Sequence, residues 1–245
     1  MNWRMHTVAV ILATTMVASA AWPQQPFDLD PSFRTILNTQ GIASMAPLAN
    51  GELLISGAFK YPGDLDLRYV GRLHSDGSID WTFPFGPGGS RITPWNDKFY
   101  IGNGLVNRLM QDGSPDPSFI NLWQGPYFTP LQGGDYHVFP DGRVVISGYN
   151  SLDDTLRGYH GFYSFIWFTD QGYLDTTRVH RTSDGPMYDF KELPSGKFIC
   201  SGVLSEYEGT PVSRIFRVEA DGALDTTFHR PPLHEYGAAF SYLPL

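Results

Sequence analysis

One phrase recurs along the chain, and it restricts the fold more than any single residue does. It reads Asp76-Gly77-Ser78-Ile79-Asp80-Trp81-Thr82-Phe83, then Asp112-Gly113-Ser114-Pro115-Asp116-Pro117-Ser118-Phe119. It returns as Gln171-Gly172-Tyr173-Leu174-Asp175-Thr176-Thr177-Arg178 and as Asp221-Gly222-Ala223-Leu224-Asp225-Thr226-Thr227-Phe228. The tail alone, Leu29-Asp30-Pro31-Ser32-Phe33, appears once more near the start. Aspartates 30, 80, 116, 175 and 225 are spaced by 50, 36, 59 and 50 residues. Repetition at tens of residues marks an array in which no unit buries its apolar face alone. Residues that repeat are then architectural, and chemistry is sought where the copies differ.

A second motif precedes the first in each unit. Asn50-Gly51-Glu52-Leu53-Leu54-Ile55-Ser56-Gly57, Asp141-Gly142-Arg143-Val144-Val145-Ile146-Ser147-Gly148 and Ser195-Gly196-Lys197-Phe198-Ile199-Cys200-Ser201-Gly202 are copies, and Asn96-Asp97-Lys98-Phe99-Tyr100-Ile101-Gly102-Asn103 is a degenerate one. A tight turn with positive φ followed by a short β-branched or aromatic run bounded by glycine reads as hairpin turn and strand. The serine recurs without a recurring His-Asp pair, which argues against a nucleophile. Another strand runs before each Asp-Gly turn, over 69–74, 105–110, 165–168 and 215–218, with bulky groups on both faces as in a sheet packed on either side. Arg72, Arg108 and Arg217 share one place in it and are expected to pair with a turn aspartate. The third unit has Trp167 there, and Arg178 in place of the final phenylalanine. No helix-length amphipathic segment follows the N-terminus.

These features predict an all-β chain, a β-propeller-like array of about four units, either an incomplete ring or a fragment of a larger one. The units run over roughly 34–83, 84–119, 120–178 and 179–228, with partial units at both ends. Repeats near 50 residues fit four-stranded propeller blades, and the 36-residue interval predicts one blade lacking a hairpin. Phe240-Ser241-Tyr242-Leu243-Pro244-Leu245 parallels Phe190-Lys191-Glu192-Leu193-Pro194-Ser195 as the head of another unit. Gly77, Gly113, Gly172 and Gly222 are expected to hold positive φ.

The two motifs together, best matched at 141–148 and 221–228, resemble the bacterial delta-60 repeat family over roughly residues 27–245. That resemblance implies propellers of extracellular or surface proteins and carries no general catalytic residues.

Residues 1–20 read as a signal peptide: Arg4, an apolar run from Thr7 to Val17, and Ala18-Ser19-Ala20 as cleavage site. The repeat domain is then 21–245, secreted, periplasmic or at the cell surface, with no membrane insertion after signal removal. Its balance is 16 basic against 25 acidic residues, which argues against nucleic acid and anionic membranes as partners. Cys200, the only cysteine, aligns with core strand positions and reads as a buried small hydrophobe.

No zinc motif or G-x-S-x-G elbow is present, and no metal or cofactor is expected. Asp64, Asp66, Asp153 and Asp154 lack the EF-hand spacing and read as solvated loop charges. The unrepeated stretch from Tyr149 to Tyr163 reads as an inserted binding loop, carrying Asp153, Asp154, Arg157, Tyr159 and His160. Trp123, Tyr127 and Phe128 form a second unrepeated loop. Aromatics beside carboxylates suit a glycan or a protein ligand. The expectation is an exported, non-enzymatic binding or scaffolding module. The alternative is a secreted polysaccharide hydrolase or lyase drawing acids from Asp153, Asp154 and His160, which requires two carboxylates facing one pocket.

Overall fold

The computed structural model describes residues 29–102, 105–120, 122 and 127–228. The expected signal peptide over residues 1–20, Trp123, Asn103, His229, His234 and the segment 240–245 lie outside them. The described chain is all β, with fifteen strands and no helix. Unit 1 comprises β1 (Asn38–Pro47), β2 (Leu53–Lys60) and β3 (Arg68–Leu73). Unit 2 comprises β4 (Arg91–Trp95), β5 (Lys98–Gly102) and β6 (Val106–Met110). Unit 3 comprises β7 (Phe128–Val138), β8 (Val144–Asp154) and β9 (Tyr159–Phe168). Unit 4 contains β10 (Arg181–Thr182), β11 (Met187–Glu192), β12 (Phe198–Gly202), the small hairpin β13 (Glu206–Tyr207) and β14 (Thr210–Pro211), and β15 (Ile215–Val218). The three main strands of each unit form an antiparallel meander, and units 3 and 4 join into one sheet where Met187 pairs with Gly148 and where β10 pairs with β9.

The fourth strand of each blade shrinks to a single bridge: Leu73 to Ile79, Leu109 to Pro115, Phe168 to Leu174 and Val218 to Leu224. The repeated aspartate explains why. Asp80 Oδ1 accepts both the backbone N–H and the hydroxyl of Thr82, at 2.8 and 2.6 Å, and this local turn leads the chain off the ladder. Ser118, Thr177 and Thr227 repeat the arrangement on Asp116, Asp175 and Asp225. The 36-residue interval does not lack a hairpin. Unit 2 keeps all three main strands, each cut to five residues, and closes β4 to β5 through a two-residue turn between Trp95 and Lys98.

The core lies between units, because alternate residues of one strand serve opposite neighbours. Val144, Ile146, Ile166 and Phe168 of unit 3 pack with Tyr100, Val106 and Phe119 of unit 2. Val145, Phe165 and Trp167, on the other face, pack with Phe190, Phe198 and Phe216 of unit 4. Phe99, Ile101 and Leu109 of unit 2 likewise meet Leu54, Val70 and Phe83 of unit 1. Cys200 is fully buried in one of these layers.

The repeated turns form the seams between units. Gly77, Gly113, Gly172 and Gly222 have φ of 83°, 85°, 83° and 84°. Space matters as much as torsion: a β-carbon at Gly113 would lie 2.5 Å from the Phe83 ring of the preceding unit. The arginine of one unit then donates to the next turn, Arg72 to the Gln111 carbonyl at 3.1 Å and Arg108 to the Asp170 carbonyl at 2.7 Å.

The arginine–aspartate pairs are more than surface contacts. Asp80, Asp116 and Asp225 are almost wholly buried and sit 2.6, 2.6 and 2.7 Å from Arg72, Arg108 and Arg217. Each guanidinium also lies over its unit's terminal phenylalanine, at 5.3 Å on Phe83, 4.6 Å on Phe119 and 4.9 Å on Phe228. In unit 3 the partners trade places, with Arg178 4.9 Å over the Trp167 ring. The two departures of that unit from the repeat are therefore one compensated exchange.

Candidate functional site

The stretch from Tyr149 to Tyr163 is not a loop. It is the far half of the β8–β9 hairpin, with Asp153 opposite His160 and Asp154 opposite Tyr159. Strand alternation divides the expected site residues between two faces. Asp153 and His160 lie on the solvent face, with Asp153 Oδ1 2.9 Å from His160 Nδ1. The same face holds Ser151 and a stack of Tyr149 on Phe162, with ring centroids 5.0 Å apart and planes 17° apart. Phe162 is 47% exposed.

Asp154 occupies the opposite face. It is buried and paired with Arg157 of the hairpin tip, so it is not a solvated loop charge. Asp64 is also engaged, 2.7 Å from Arg68. Tyr159 packs 4.9 Å from His180 and 6.3 Å from Tyr163, and burial pushes its hydroxyl up. Tyr127 edges a crevice of about 10 Å³ with Phe128, Leu152, Asp154, Arg157 and Leu174, too small for a ligand. Phe128 opens β7 and is a buried core residue, not a loop residue. Asp153 and Asp154 thus point away from each other and form no paired-carboxylate site.

His180 is buried beneath this inner face. The backbone N–H of Trp167 donates to its Nδ1 at 3.2 Å, while Nε2 has no partner among the described residues. Burial lowers its pKa from 6.5 to about 4 despite the opposing pull of Asp175.

The carboxylates that do meet are Asp135 and Asp189, outside the two repeated motifs. Ser44, Asp135 and Asp189 each lie seven residues before their unit's turn glycine, at 51, 142 and 196, and Arg91 holds the matching register place in unit 2. This column runs along the first strands β1, β4, β7 and β11. Ser44 Oγ accepts the Ile92 N–H at 3.1 Å, and Arg91 reaches Asp135 at 3.1 Å. Lys191 bridges Asp135 at 2.6 Å and Asp189 at 3.0 Å. Burial and the Asp135 carboxyl push Asp189 up against the pull of Lys191. Two cations offset two carboxyl groups, so the cluster ties units 2, 3 and 4 together. The seven-residue spacing to the turn glycine is the sequence signal for this column, and it is obscured because these first strands carry the least uniform sequence of each unit.

The fold and its seams define a β-propeller-like domain of unknown function. The DUF5122 β-propeller family, itself described as a domain of unknown function, matches residues 193–228, which span a turn, β12, β15 and the Asp-Gly phrase. This supports a propeller-type repeat without singling out the delta-60 pattern. A crystal structure of a protein of unknown function from Bacteroides caccae aligns with a TM-score of 0.36 at 8% identity. The alignment covers 75% of this chain and 65% of that one, so this chain spans about two thirds of its length. No curated protein sequence matches the chain.

Proposed function

We propose that the chain is an exported, non-enzymatic binding module that recognises a glycan on the outer face of the unit-3 hairpin. The supporting observation is the face that bears Tyr149, Ser151, Asp153, His160 and Phe162. These side chains lie away from the inter-unit layers, whereas Asp80, Asp116 and Asp225 are tied to arginines within their own units and Asp135 bridges units 2, 3 and 4. A ring face takes the C–H surface of a sugar, and a carboxylate beside an imidazole takes its hydroxyls. The acidic balance of the chain disfavours nucleic acid. The leader-like residues 1–20 support export.

The test is a glycan array probed with folded protein and with Phe162→Ala and His160→Ala. Binding that both variants lose supports the reading. Folded protein that binds no glycan on the array, or variants that bind as well as the parent, would sink it. Capture of a protein ligand by this face would replace the glycan. N-terminal sequencing of protein from the periplasm or medium tests export, with Ala21 expected as the first residue.

A further inference from the structure

We propose that Phe228, Arg217 and Asp225 form a docking face for the Asp-Gly turn of a further repeat unit. The argument is continuity with three seams of the same chemistry, independent of the glycan face. At the first, Gly113 packs on Phe83 and Arg72 donates to the Gln111 carbonyl at 3.1 Å. At the second, a β-carbon on Gly172 would lie 3.1 Å from Phe119, Arg108 donates to the Asp170 carbonyl at 2.7 Å, and the Ile120 N–H donates to the Gln171 carbonyl at 3.0 Å. At the third, Gly222 packs on Phe165 of unit 3, and Arg181, which belongs to unit 4 but whose strand pairs with β9 of unit 3, donates to the Asp221 carbonyl at 3.2 Å. Each of these three seams thus joins an aromatic ring and a guanidinium to a glycine and a turn carbonyl.

Unit 4 carries the first half of such a seam. Arg217 lies 4.9 Å over Phe228 and is held 2.7 Å from Asp225, as Arg108 is held on Asp116. Among the described residues the only acceptor of its guanidinium is Asp225. Its side chain is 27% exposed, against 19% for Arg72 and 4% for Arg108. Phe228 is only partly buried, whereas Phe83 and Phe119 are core residues. The four described turns of this type are already engaged, Gly77 against the Arg34 backbone and the others as above. The occupant is therefore a unit beyond these four. It must present a carbonyl to Arg217 and a glycine to the ring, since a side chain there would meet the ring as it would at Gly113.

The experiment uses the full chain, ¹⁵N-labelled, titrated with a backbone-cyclised hairpin peptide of sequence 215–225. Weak, saturable shifts at the Arg217 Nε–H and the Phe228 amide are expected. Phe228→Ala, or Arg217→Lys, which keeps the charge on Asp225, should weaken binding about tenfold, equivalent to about 1.4 kcal/mol. A peptide with valine for the turn glycine should not bind. The proposal is overturned by folded chain that shows no shifts there, or by shifts that survive both variants. Concentration-dependent self-association abolished by Phe228→Ala would also overturn it, by seating a second copy on this face.

Discussion

Gly113→Ala and Gly196→Ala separate the two reasons for glycine in a repeated turn. Both positions have positive φ, 85° and 78°. Each alanine therefore incurs about 1–2 kcal/mol of left-handed strain. Their surroundings differ. A β-carbon at Gly196 meets nothing within 4 Å, whereas one at Gly113 would lie 2.5, 2.8 and 2.9 Å from three atoms of the Phe83 ring. Phe83 cannot swing clear, because it is buried between Leu54, Val70 and Leu109. Overpacking of that kind costs about 1–3 kcal/mol. Gly113→Ala should therefore exceed Gly196→Ala by about 2 kcal/mol, which is about 4–8 °C in Tm for a domain of this size. The assay is urea and thermal unfolding of both variants and of Gly113→Ala on a Phe83→Leu background, where the excess should largely vanish. Equal losses at the two glycines, or an excess that persists with Phe83→Leu, would show that the turn does not dock on the preceding unit's ring.

The remaining predictions concern other parts of the array. Trp167→Ala and Arg178→Ala should couple in a double-mutant cycle of unfolding free energies by about 0.5–2 kcal/mol, as expected for a partly shielded cation–π pair; strict additivity would make the exchange in unit 3 coincidental. His180 has a folded pKa of about 4, below its reference of 6.5. The unfolded chain therefore binds the extra proton between those values, and stability falls by about 3 kcal/mol as pH drops from 6.5 to 4. Urea unfolding across that range should show a shallower pH slope in His180→Gln, and an unchanged slope would refute the buried neutral imidazole. Gly222→Val, which meets Phe165 at 2.8 Å, should lower Tm by several degrees while Asp153→Ala on the exposed face leaves it within about 1 °C. A matching loss from Asp153→Ala would give that carboxylate a structural role. Asp116→Ala should destabilise by about 3–5 kcal/mol in chemical unfolding, since it leaves Arg108 buried without its carboxylate; a loss below about 1 kcal/mol would mark the pair as dispensable.

The Asp-Gly phrase and the short apolar runs were sufficient to specify β strands, units and turns, because these depend on near neighbours in the chain. Positive φ at a turn, a hydroxyl two residues after an aspartate, and a strand bulky on both faces are local consequences of residue type. Strand length was less legible. The region from Tyr149 to Tyr163 breaks the repeat, so it reads as a loop, yet cross-strand pairing carries β8 and β9 through it and sends Asp153 and Asp154 to opposite faces. Trp167 and Arg178 look like two separate departures until the fold brings them within 4.9 Å. Asp135 and Asp189 sit 54 positions apart in strands of little shared sequence, and Lys191 makes them one cluster. What sequence alone determined about this protein is its alphabet of turns and strands. Which side chains meet was decided by the packing of unit on unit, because burial, pairing and charge neutralisation between distant residues exist only once the layers have closed.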